Sequence, residues 1–532
     1  MNLERAQRLF PLTVALLTLI VFLPALRNDF VNWDDARNFL TNNDYRGLGV
    51  HQLKWMWTSH LLGRYVPLSW MTLGLDYTIW GMDPVGYHLT NLLWHTANAV
   101  LMYFLALELL RVAMSQNRSV SLGAFFAALF FAIHPLRAES VAWVTERRDL
   151  VSGLFYLVAV LLYVRGCRSG QRIPGKYYWG CFASFLAAIL SKEMVVTLPV
   201  VLLILDVYPF RRIGVQALIE KIPFLIVSIA DSGFAVYIGR QEGLTSSLAH
   251  VNVFSRLAIS TYGLAFYVWK TLVPFHLSPF YALTSHRVDP RGLPFLGSAM
   301  VVMGITATAS FLRRRLPGLP TVWATYAVTL LPVLGIFQNG LQITADRYSY
   351  LACIGWGLIA GACLIHVQPA IATSAAAVAL AVLSCLTWQQ VQIWQDSETL
   401  WRHALKIEQS AVAWNNLGLA LAERGDTLAA IEQYKHSLRM DPDFEYAHNN
   451  LGHALLEIQD WDDARREFEA ALKVKQDLPD AHNGLGIALM MQNRLNEAIA
   501  QFQIALQLYP TYDDARANLA RALALKKEQV HP

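Results

Sequence analysis

The stretch SVSLGAFFAALFFAIHPLRAESVAWVTERRDLVSGLFYLVAVLLYVR, residues 119–165, contains two apolar runs with a short polar segment between them. The runs, 119–134 and 150–165, approach the ~20 mostly apolar residues that a helix needs to cross a membrane. The segment between them, 135–149, carries six charged side chains. This pattern predicts two membrane helices joined by a charged loop on one face of the membrane.

Runs of the same kind continue along the chain as far as residue 388. The 532 residues are 55% hydrophobic and only 15% charged, and the mean hydropathy is +0.34. Soluble domains are about 25% charged, so this composition excludes an ordinary soluble enzyme. It predicts an all-α, polytopic membrane helical bundle over residues 1–388. The candidate runs are 10–26, 87–110, 119–134, 150–165, 177–190, 194–209, 222–239, 256–273, 293–311, 320–338, 348–366 and 370–388.

Basic residues between the runs orient the predicted bundle, because Lys and Arg collect in cytoplasmic loops. The first run follows Arg5 and Arg8 and has no small-residue cleavage site after it, so we expect an uncleaved anchor with a cytoplasmic N-terminus. Arg212 and Arg313 can then both lie in the cytoplasm only if one of the three apolar runs between them does not cross the membrane. The most polar of these, 256–273, is expected to lie in the outer interface. The prediction is about eleven spans, with residues 389–532 outside.

The same orientation places most of the unusual charged residues of the predicted bundle, residues 1–388 (the body), on the outer face of the membrane. They lie in four polar stretches, 27–86, 135–149, 191–193 and 339–347. Their convergence on one membrane face predicts a functional site there.

The tail, residues 389–532, repeats every 34 residues. This is the period of the tetratricopeptide repeat, a helix–turn–helix unit with small residues where its helices pack closely. About three full repeats follow a leading half-repeat, which predicts an α-solenoid. The tail has a net charge of −7 and the body +11. The repeating positions are Ala413, Ala447, Ala481 and Ala515; Gly418, Gly452 and Gly486; Ala430, Ala464 and Ala498; and Tyr434, Phe468 and Phe502.

Two groups of charged residues in the outer stretches predict chemistry. Asp34 and Asp35 follow the first run, and one carboxylate of such a doublet can serve as a general base toward a hydroxyl; the alternative is a solvated loop or a helix cap. Arg147 and Arg148 can neutralise a lipid phosphate, or they are merely interface anchors. Lys192 interrupts two apolar runs and offers a second phosphate contact, unless it belongs to a tight turn that only needs solvation.

Recurring polar residues mark two further surfaces. Asn415, Asn449 and Asn483 recur on the first helices of the repeats, where they predict a groove for an extended peptide; the alternative is packing that every repeat shares. His88 lies on one helix face with Asn91 and His95, and these side chains either bind a sugar or join neighbouring helices.

Several classes of function have no support in the sequence. The five cysteines form neither a disulfide framework nor a zinc motif. Dinucleotide, P-loop, nucleophile-elbow and kinase motifs are lacking. The cytoplasmic loops account for the positive charge, so we expect no nucleic acid as a partner.

Taken in order, six segments of the body resemble the bacterial relatives of the transmembrane-and-tetratricopeptide-repeat O-mannosyltransferases, which have a GT-C glycosyltransferase fold. The resemblance covers nearly the full length. It departs from the family at Val66, where an Arg is usual, and at Asp346, where a Glu is usual. The segments are FVNWDDARNF, GRYVPLSWMTLGLDY, PVGYHLTNLLWHTAN, FAIHPLRAESVAWVTERRDLVSGLF, SKEMVVTLPVV and TADRYSYL.

The resemblance implies transfer of a sugar from a polyprenyl-phosphate donor to a hydroxyl acceptor at the extracytoplasmic face, with inversion. Asp34 is then the expected base, with Asp35 next, and no metal or other cofactor is expected. Expected partners are the polyprenyl-phosphate sugar, an acceptor protein or peptide on the repeats, and the lipids of a bacterial inner membrane. The donor phosphate would be held by Lys192, Arg347, Arg147 and Arg148. Residues expected to position the substrates are His134, Arg137, Glu139, Asp149, Glu193, Tyr65 and His88.

Three alternatives remain open at this point. The same fold can act on a glycan or lipid acceptor. A membrane-anchored repeat scaffold without activity would not need Asp34, Lys192 or Arg347. A transporter is the least favoured, because it would place charges near mid-span in two matching halves.

Overall fold

The chain divides into two compact units. The computed structural model describes residues 3–114, 119–170, 175–241, 253–282, 289–335 and 342–530. The first unit is Met1–Asp396 and the second is Ser397–Pro532. Their boundary falls eight residues beyond the predicted end of the body at 388.

The first unit is helical over most of its described length. Short 3₁₀ or π turns link many of the helices, among them Leu23–Arg27, Ala36–Leu40, Pro135–Arg137, Val144–Glu146, Glu193–Thr197, Leu331–Val333 and Asp346–Tyr348. The α-helices are α1 (Leu3–Val21), α2 (Val50–Thr58), α3 (Pro67–Trp80), α4 (Pro84–Ala113), α5 (Val120–Ala132), α6 (Ala138–Ala142), α7 (Arg147–Arg168), α8 (Lys176–Ile189), α9 (Leu198–Val207), α10 (Val215–Ile219), α11 (Ile222–Gln241), α12 (Val253–Leu272), α13 (Leu293–Leu312), α14 (Gly318–Leu330), α15 (Ser349–Ala352), α16 (Ile354–Leu364) and α17 (Pro369–Gln392).

One small antiparallel ladder interrupts this helical pattern in the described residues. Strand β1 (Tyr281–Ala282) pairs with β2 (Gln342–Thr344), and Tyr281 lies opposite Thr344. The predicted all-α class is therefore confirmed, with this ladder as the exception.

The predicted count of about eleven spans is not supported. In the described part of the chain, five helical segments are long and apolar enough to cross a membrane, or six if the bent pair Val120–Ala132 and Pro135–Ala142 forms one span. The five are Pro84–Ala113, Val144–Arg168, Val215–Gln241, Leu293–Leu312 and Ala370–Gln392.

The difference arises from where the helices break. A crossing takes about 20 helical residues, but α8 has 14 and α9 has 10. The run 348–366 is divided between a 3₁₀ turn, α15 and α16. Hydropathy alone does not detect such breaks, so it counted short helices as complete spans. The run 256–273 forms the continuous helix α12, which is not among the five.

Small residues and polar side chains join the helices of the first unit. A Cβ on Gly361 of α16 would lie 2.3 Å from the carbonyl oxygen of Gly123 in α5, so only glycine permits this close approach. His95 contacts the Tyr350 hydroxyl at 2.8 Å and the Ala132 carbonyl at 2.8 Å. Of the two interpretations of His95, the structure favours the packing one.

The second unit consists of paired helices that follow the 34-residue period. The small residues predicted at the contacts are buried, and Tyr434, Phe468 and Phe502 pack against Gly418, Gly452 and Gly486 respectively. The helices are α18 (Ser397–Ile407), α19 (Ala411–Glu423), α20 (Thr427–Met440), α21 (Glu445–Glu457), α22 (Trp461–Val474), α23 (Pro479–Met491), α24 (Leu495–Leu508) and α25 (Asp513–Val530).

Candidate active site

The four polar stretches predicted to share the outer face contact one another within the first unit. In the fourth stretch, residues 339–341 lie outside the described residues. The joining contacts are Asp35 with Thr145, Lys192 with Glu146 and Asp149, Arg347 with Glu139 and Glu146, and Arg64 with Glu193. Charged residues far apart in the sequence thus form one cluster.

Asp35 is buried and anchors the first loop to the second. Its Oδ1 accepts hydrogen bonds from the Thr145 backbone N at 3.1 Å and the Thr145 hydroxyl at 2.5 Å. Its Oδ2 accepts one from the Val31 backbone N at 3.1 Å. Burial raises the pKa of the Asp35 carboxyl to about 7, although the hydrogen bonds from Thr145 and Val31 lower it. Both carboxylate oxygens are therefore engaged in holding the fold.

Asp34 differs from its neighbour because its side chain is partly exposed. The Asp34 carbonyl accepts a hydrogen bond from the Asn38 backbone N at 2.9 Å, at the start of the π turn Ala36–Leu40. The Asp34 carboxylate also interacts electrostatically with Arg148. Asp34 is thus the more exposed carboxylate of the doublet, and Arg148 is near enough to interact with it electrostatically.

Glu146 is the centre of the charged cluster and is fully buried. Its Oε1 lies 2.6 Å from Nη2 of Arg148 and 3.2 Å from Nε of Arg347, and its Oε2 lies 2.9 Å from Nζ of Lys192. Three cations from three separate segments therefore meet on one carboxylate.

Two further carboxylates complete the cluster. Nζ of Lys192 lies 2.6 Å from Oδ1 of Asp149, whose Oδ2 accepts a hydrogen bond from the Ser140 hydroxyl at 3.1 Å. Glu139 pairs with the Arg347 guanidinium and also accepts a hydrogen bond from the Arg347 backbone N at 2.8 Å. The Arg347 guanidinium also lies over the Trp143 ring, 5.3 Å from its centroid.

Arg147 points away from this cluster although it neighbours Arg148 in the sequence. Its Nη2 lies 2.7 Å from Oδ2 of Asp76 and donates to the Tyr87 carbonyl at 2.9 Å. Its Nε donates to the Asn91 side chain, which in turn donates to the Val141 and Trp143 carbonyls. Arg147 and its partners therefore fasten α7 to α3 and α4.

His134 and Arg137 lie at the start of the second outer loop, both buried. The Leu136 backbone N donates to Nδ1 of His134 at 3.3 Å, and Nε2 of His134 lies 3.0 Å from the Thr271 carbonyl. Arg137 donates to the Ser349 hydroxyl at 3.0 Å and lies over the Tyr350 ring, 5.4 Å from its centroid. Both ring nitrogens of His134 are thus occupied by the protein itself.

The remaining predicted positioning residues lie at the edge of the cluster or behind it. Glu193 forms a 2.6 Å ion pair with Arg64, and both side chains are about one-third exposed (33% and 29%). The Tyr65 hydroxyl donates to the Trp57 carbonyl at 3.1 Å. His88 is buried beside the Asp29 backbone and Arg147.

Sequence reasoning missed Glu146, Thr145 and Asp76. All three pair with residues that are more than 40 positions away, so no local pattern marks them. One signal was present in the sequence. Glu146 and Asp149 flank two arginines, and four adjacent charges can be buried only if each has a partner.

In the repeat unit, two of the three predicted groove asparagines are already paired. Asn450 donates to the Asn415 side chain at 3.0 Å, and Asn518 donates to the Asn483 side chain at 3.0 Å. The residue corresponding to those donors after Asn449 is Gly484. A Cβ there would lie 2.3 Å from the Phe468 ring. Oδ1 of Asn449 consequently accepts no hydrogen bond from the described residues.

The described residues contain no group of three or more His, Cys, Asp or Glu side chains placed to hold a metal ion. The cysteines in the described parts of the chain are all free thiols.

Two family models match the second unit. "Tetratricopeptide repeat" matches residues 449–513, and "TPR repeat" matches residues 418–459. Among solved structures, the second TPR domain of the human RPAP3 protein is 25% identical and covers 21% of this chain and 93% of that chain, with a TM-score of 0.21. The predicted repeats in the tail are confirmed by the family models.

Most of the chain is similar to proteins named protein O-mannosyl-transferases. A relative of that name from Caenorhabditis elegans is 25% identical over 460 residues, which are 81% of this chain and 62% of the relative. A human one, named TMTC4, is 26% identical over 487 residues, 80% of this chain and 65% of the relative. The chain thus spans less than two thirds of the length of these relatives.

Proposed function

We propose that the protein is an integral-membrane glycosyltransferase that moves a sugar from a polyprenyl-phosphate donor to a hydroxyl of a protein acceptor. Mannose is the first sugar to test. The observation that carries the proposal is the partly exposed Asp34 carboxylate, which interacts electrostatically with Arg148, a member of the buried cluster that also contains Lys192 and Arg347. The similarity to protein O-mannosyl-transferases supports the same reaction class.

In the proposed reaction, Asp34 takes the proton of the acceptor hydroxyl as its oxygen attacks the anomeric carbon. The bond from that carbon to the phosphate oxygen breaks on the opposite side, and polyprenyl phosphate leaves with the bonding electrons. The anomeric configuration is therefore inverted. The charges of Arg148, which interacts electrostatically with Asp34, and of Lys192 and Arg347 would stabilise the departing phosphate without a metal or other cofactor.

The test is a transfer assay on the purified full chain with labelled polyprenyl-phosphate mannose and candidate acceptor proteins, in buffer with a chelator. We expect labelled acceptor and released polyprenyl phosphate from the wild type, and neither from Asp34→Asn/Asp35→Asn. The matched control is Asp206→Asn, because Asp206 belongs to a separate buried cluster with Lys221 and Arg212. Equal release by wild type and the double variant would contradict the proposal. If only a glycan or a lipid becomes labelled, the acceptor is that molecule and not a protein.

The proposed orientation has the N-terminus in the cytoplasm of a bacterium, the body in the inner membrane and the repeats in the periplasm. It rests on the distribution of Lys and Arg between the apolar runs. A reporter that is active only outside the cytoplasm, fused after residue 400, should be active. Activity only from a cytoplasmic reporter at the same position would reverse the orientation.

The repeats are proposed to bind the acceptor as an extended peptide, with Asn449 as the contact, because its buried Oδ1 still lacks a hydrogen bond from the described residues. Asn415 and Asn483, in contrast, are paired. Asn449→Ala should weaken acceptor binding about fivefold, the value of one hydrogen bond.

Thermal stability and affinity together separate this role from packing. Asn449→Ala should leave the unfolding temperature of the full chain unchanged, while Asn483→Ala, which removes the acceptor of the Asn518 hydrogen bond, should lower it. Acceptor affinity that is the same in Asn449→Ala and wild type would exclude the contact.

A further inference from the structure

The arrangement around Glu146 resembles an anion site that already contains its anion. Three positively charged groups, from Arg148, Lys192 and Arg347, lie 2.6 to 3.2 Å from its two oxygens. Arg and Lys side chains that surround a phosphate in this way donate hydrogen bonds of the same kind. In this protein a carboxylate of the chain itself occupies the centre.

The charges of the cluster balance. Its three cations face three carboxylates, those of Glu139, Glu146 and Asp149, and all six side chains are buried. A phosphate that enters adds negative charge to a neutral, desolvated group, which is costly unless a carboxylate gives up its contacts. Glu146 is the carboxylate whose contacts reach all three cations.

We propose that Glu146 competes with the lipid phosphate for Arg148, Lys192 and Arg347, so that it limits how tightly the donor and the released polyprenyl phosphate are held. This inference rests on the proposed function. Glu146 is a positioning residue, because it acts on the substrate through the three cations rather than by touching the reacting atoms.

The edge of the cluster at Arg148 is where the exchange would begin. The Arg148 and Arg347 side chains retain slight exposure (8% and 6%), while Glu146 has none. Asp34, the proposed base, interacts electrostatically with Arg148 and is partly exposed. A phosphate that replaces Glu146 at Arg148 would therefore bind the cation of the cluster that interacts with the proposed base.

The experiment measures binding of polyprenyl phosphate to the purified full chain, together with kcat and KM for the donor. Glu146→Gln keeps the shape of the side chain and removes its charge. We expect polyprenyl phosphate to bind about tenfold more tightly, the scale of one charge-assisted hydrogen bond. KM for the donor should fall, and kcat should fall with it because the product leaves more slowly.

Asp206→Asn is the matched control. Asp206 is also buried and lies 2.5 Å from Nζ of Lys221, but in the separate cluster of Arg212 and Glu220. Removing the charge of Asp206 should lower the stability of the protein without making polyprenyl phosphate bind more tightly. If Glu146→Gln does not fold, Asp149→Asn serves instead, because it frees Lys192 alone and should shift the affinity in the same direction by less.

The outcomes separate this inference from the proposed function. Tighter binding with a lower kcat in Glu146→Gln supports it. Equal or weaker binding in Glu146→Gln, or in Asp149→Asn if only that variant folds, overturns this inference alone. If neither wild type nor variant binds polyprenyl phosphate, both this inference and the proposed donor are overturned.

Discussion

Replacing Asp34 with Asn should lower kcat for sugar transfer by about 10²- to 10⁴-fold, the usual contribution of a general base. The stability of the protein should change by less than about 0.5 kcal/mol, because the side chain is partly exposed. The measurement is single-turnover transfer by the purified variant beside its thermal unfolding. Asn retains the size of Asp but cannot take a proton, so the loss would report the chemistry rather than the shape.

Asp35→Asn provides the matched control and should behave in the opposite way. The Asp35 oxygens accept hydrogen bonds from Thr145 and Val31. The NH₂ group of an Asn side chain would face one of these donors, and that donor would lose its acceptor. The expected loss of stability is about 1–3 kcal/mol, the cost of a buried unsatisfied group. Unchanged transfer by Asp34→Asn would contradict the assignment of the base.

The pH dependence of unfolding checks the role of Asp35 independently. Its folded pKa of about 7 lies above the ordinary 3.8, because burial disfavours the charged form. Between those two pH values the folded protein holds a proton that the unfolded chain releases, so this group makes stability fall as pH rises from about 4 to about 7 and adds no slope above. Asp35→Asn should lose that component. A transfer rate that rises through pH 7 and depends on Asp35 would make Asp35 the base.

Arg147→Ala should destabilise the first unit by about 3–5 kcal/mol, the cost of leaving one partner of a buried ion pair without the other. Arg147 is fully buried and holds Asp76, Asn91 and the Tyr87 carbonyl together. The measurement is denaturant unfolding of the purified protein. Replacing the pair by apolar residues, Arg147→Met with Asp76→Leu, should restore most of the loss, since the double variant leaves no uncompensated charge.

Arg64→Ala is the control for this comparison. Arg64 also pairs with a carboxylate, Glu193 at 2.6 Å, but both side chains are about one-third exposed. Its loss should cost only about 0–1 kcal/mol. If Arg147→Ala is no less stable than Arg64→Ala, Arg147 is not a structural anchor, and its predicted contact with the donor phosphate regains support.

The repeats were predictable because their signal is local. Ala413, Ala447 and Ala481 recur at a fixed period, and each repeat contacts mainly its neighbours, so the sequence carries the register directly. The predicted number of spans was wrong because the breaks in the helices have no such local signal. Hydropathy reports how apolar a run is, but it does not mark the 3₁₀ turn Glu193–Thr197 or the break between α15 and α16.

In the candidate site, the residues were easier to predict than their partners. The sequence predicts Lys192 because a charge between two apolar runs is costly unless it has a role, and the family resemblance implies Arg347. The structure brings both to Glu146, a residue that the sequence did not single out. Asp34 and Asp35 are equivalent by composition, and only the fold distinguishes the anchored carboxylate from the accessible one.

The pairing of Glu139 with Arg347 joins residues that are 208 positions apart. Ribosomes add about 5–20 residues each second, so Glu139 emerges roughly 10 to 40 s before its partner. Lys192 reaches Glu146 much sooner, because only 46 positions separate them. Lys192 is therefore available to Glu146 early in synthesis, whereas the contacts of Arg347 with the cluster can form only after nearly all of the first unit has been translated.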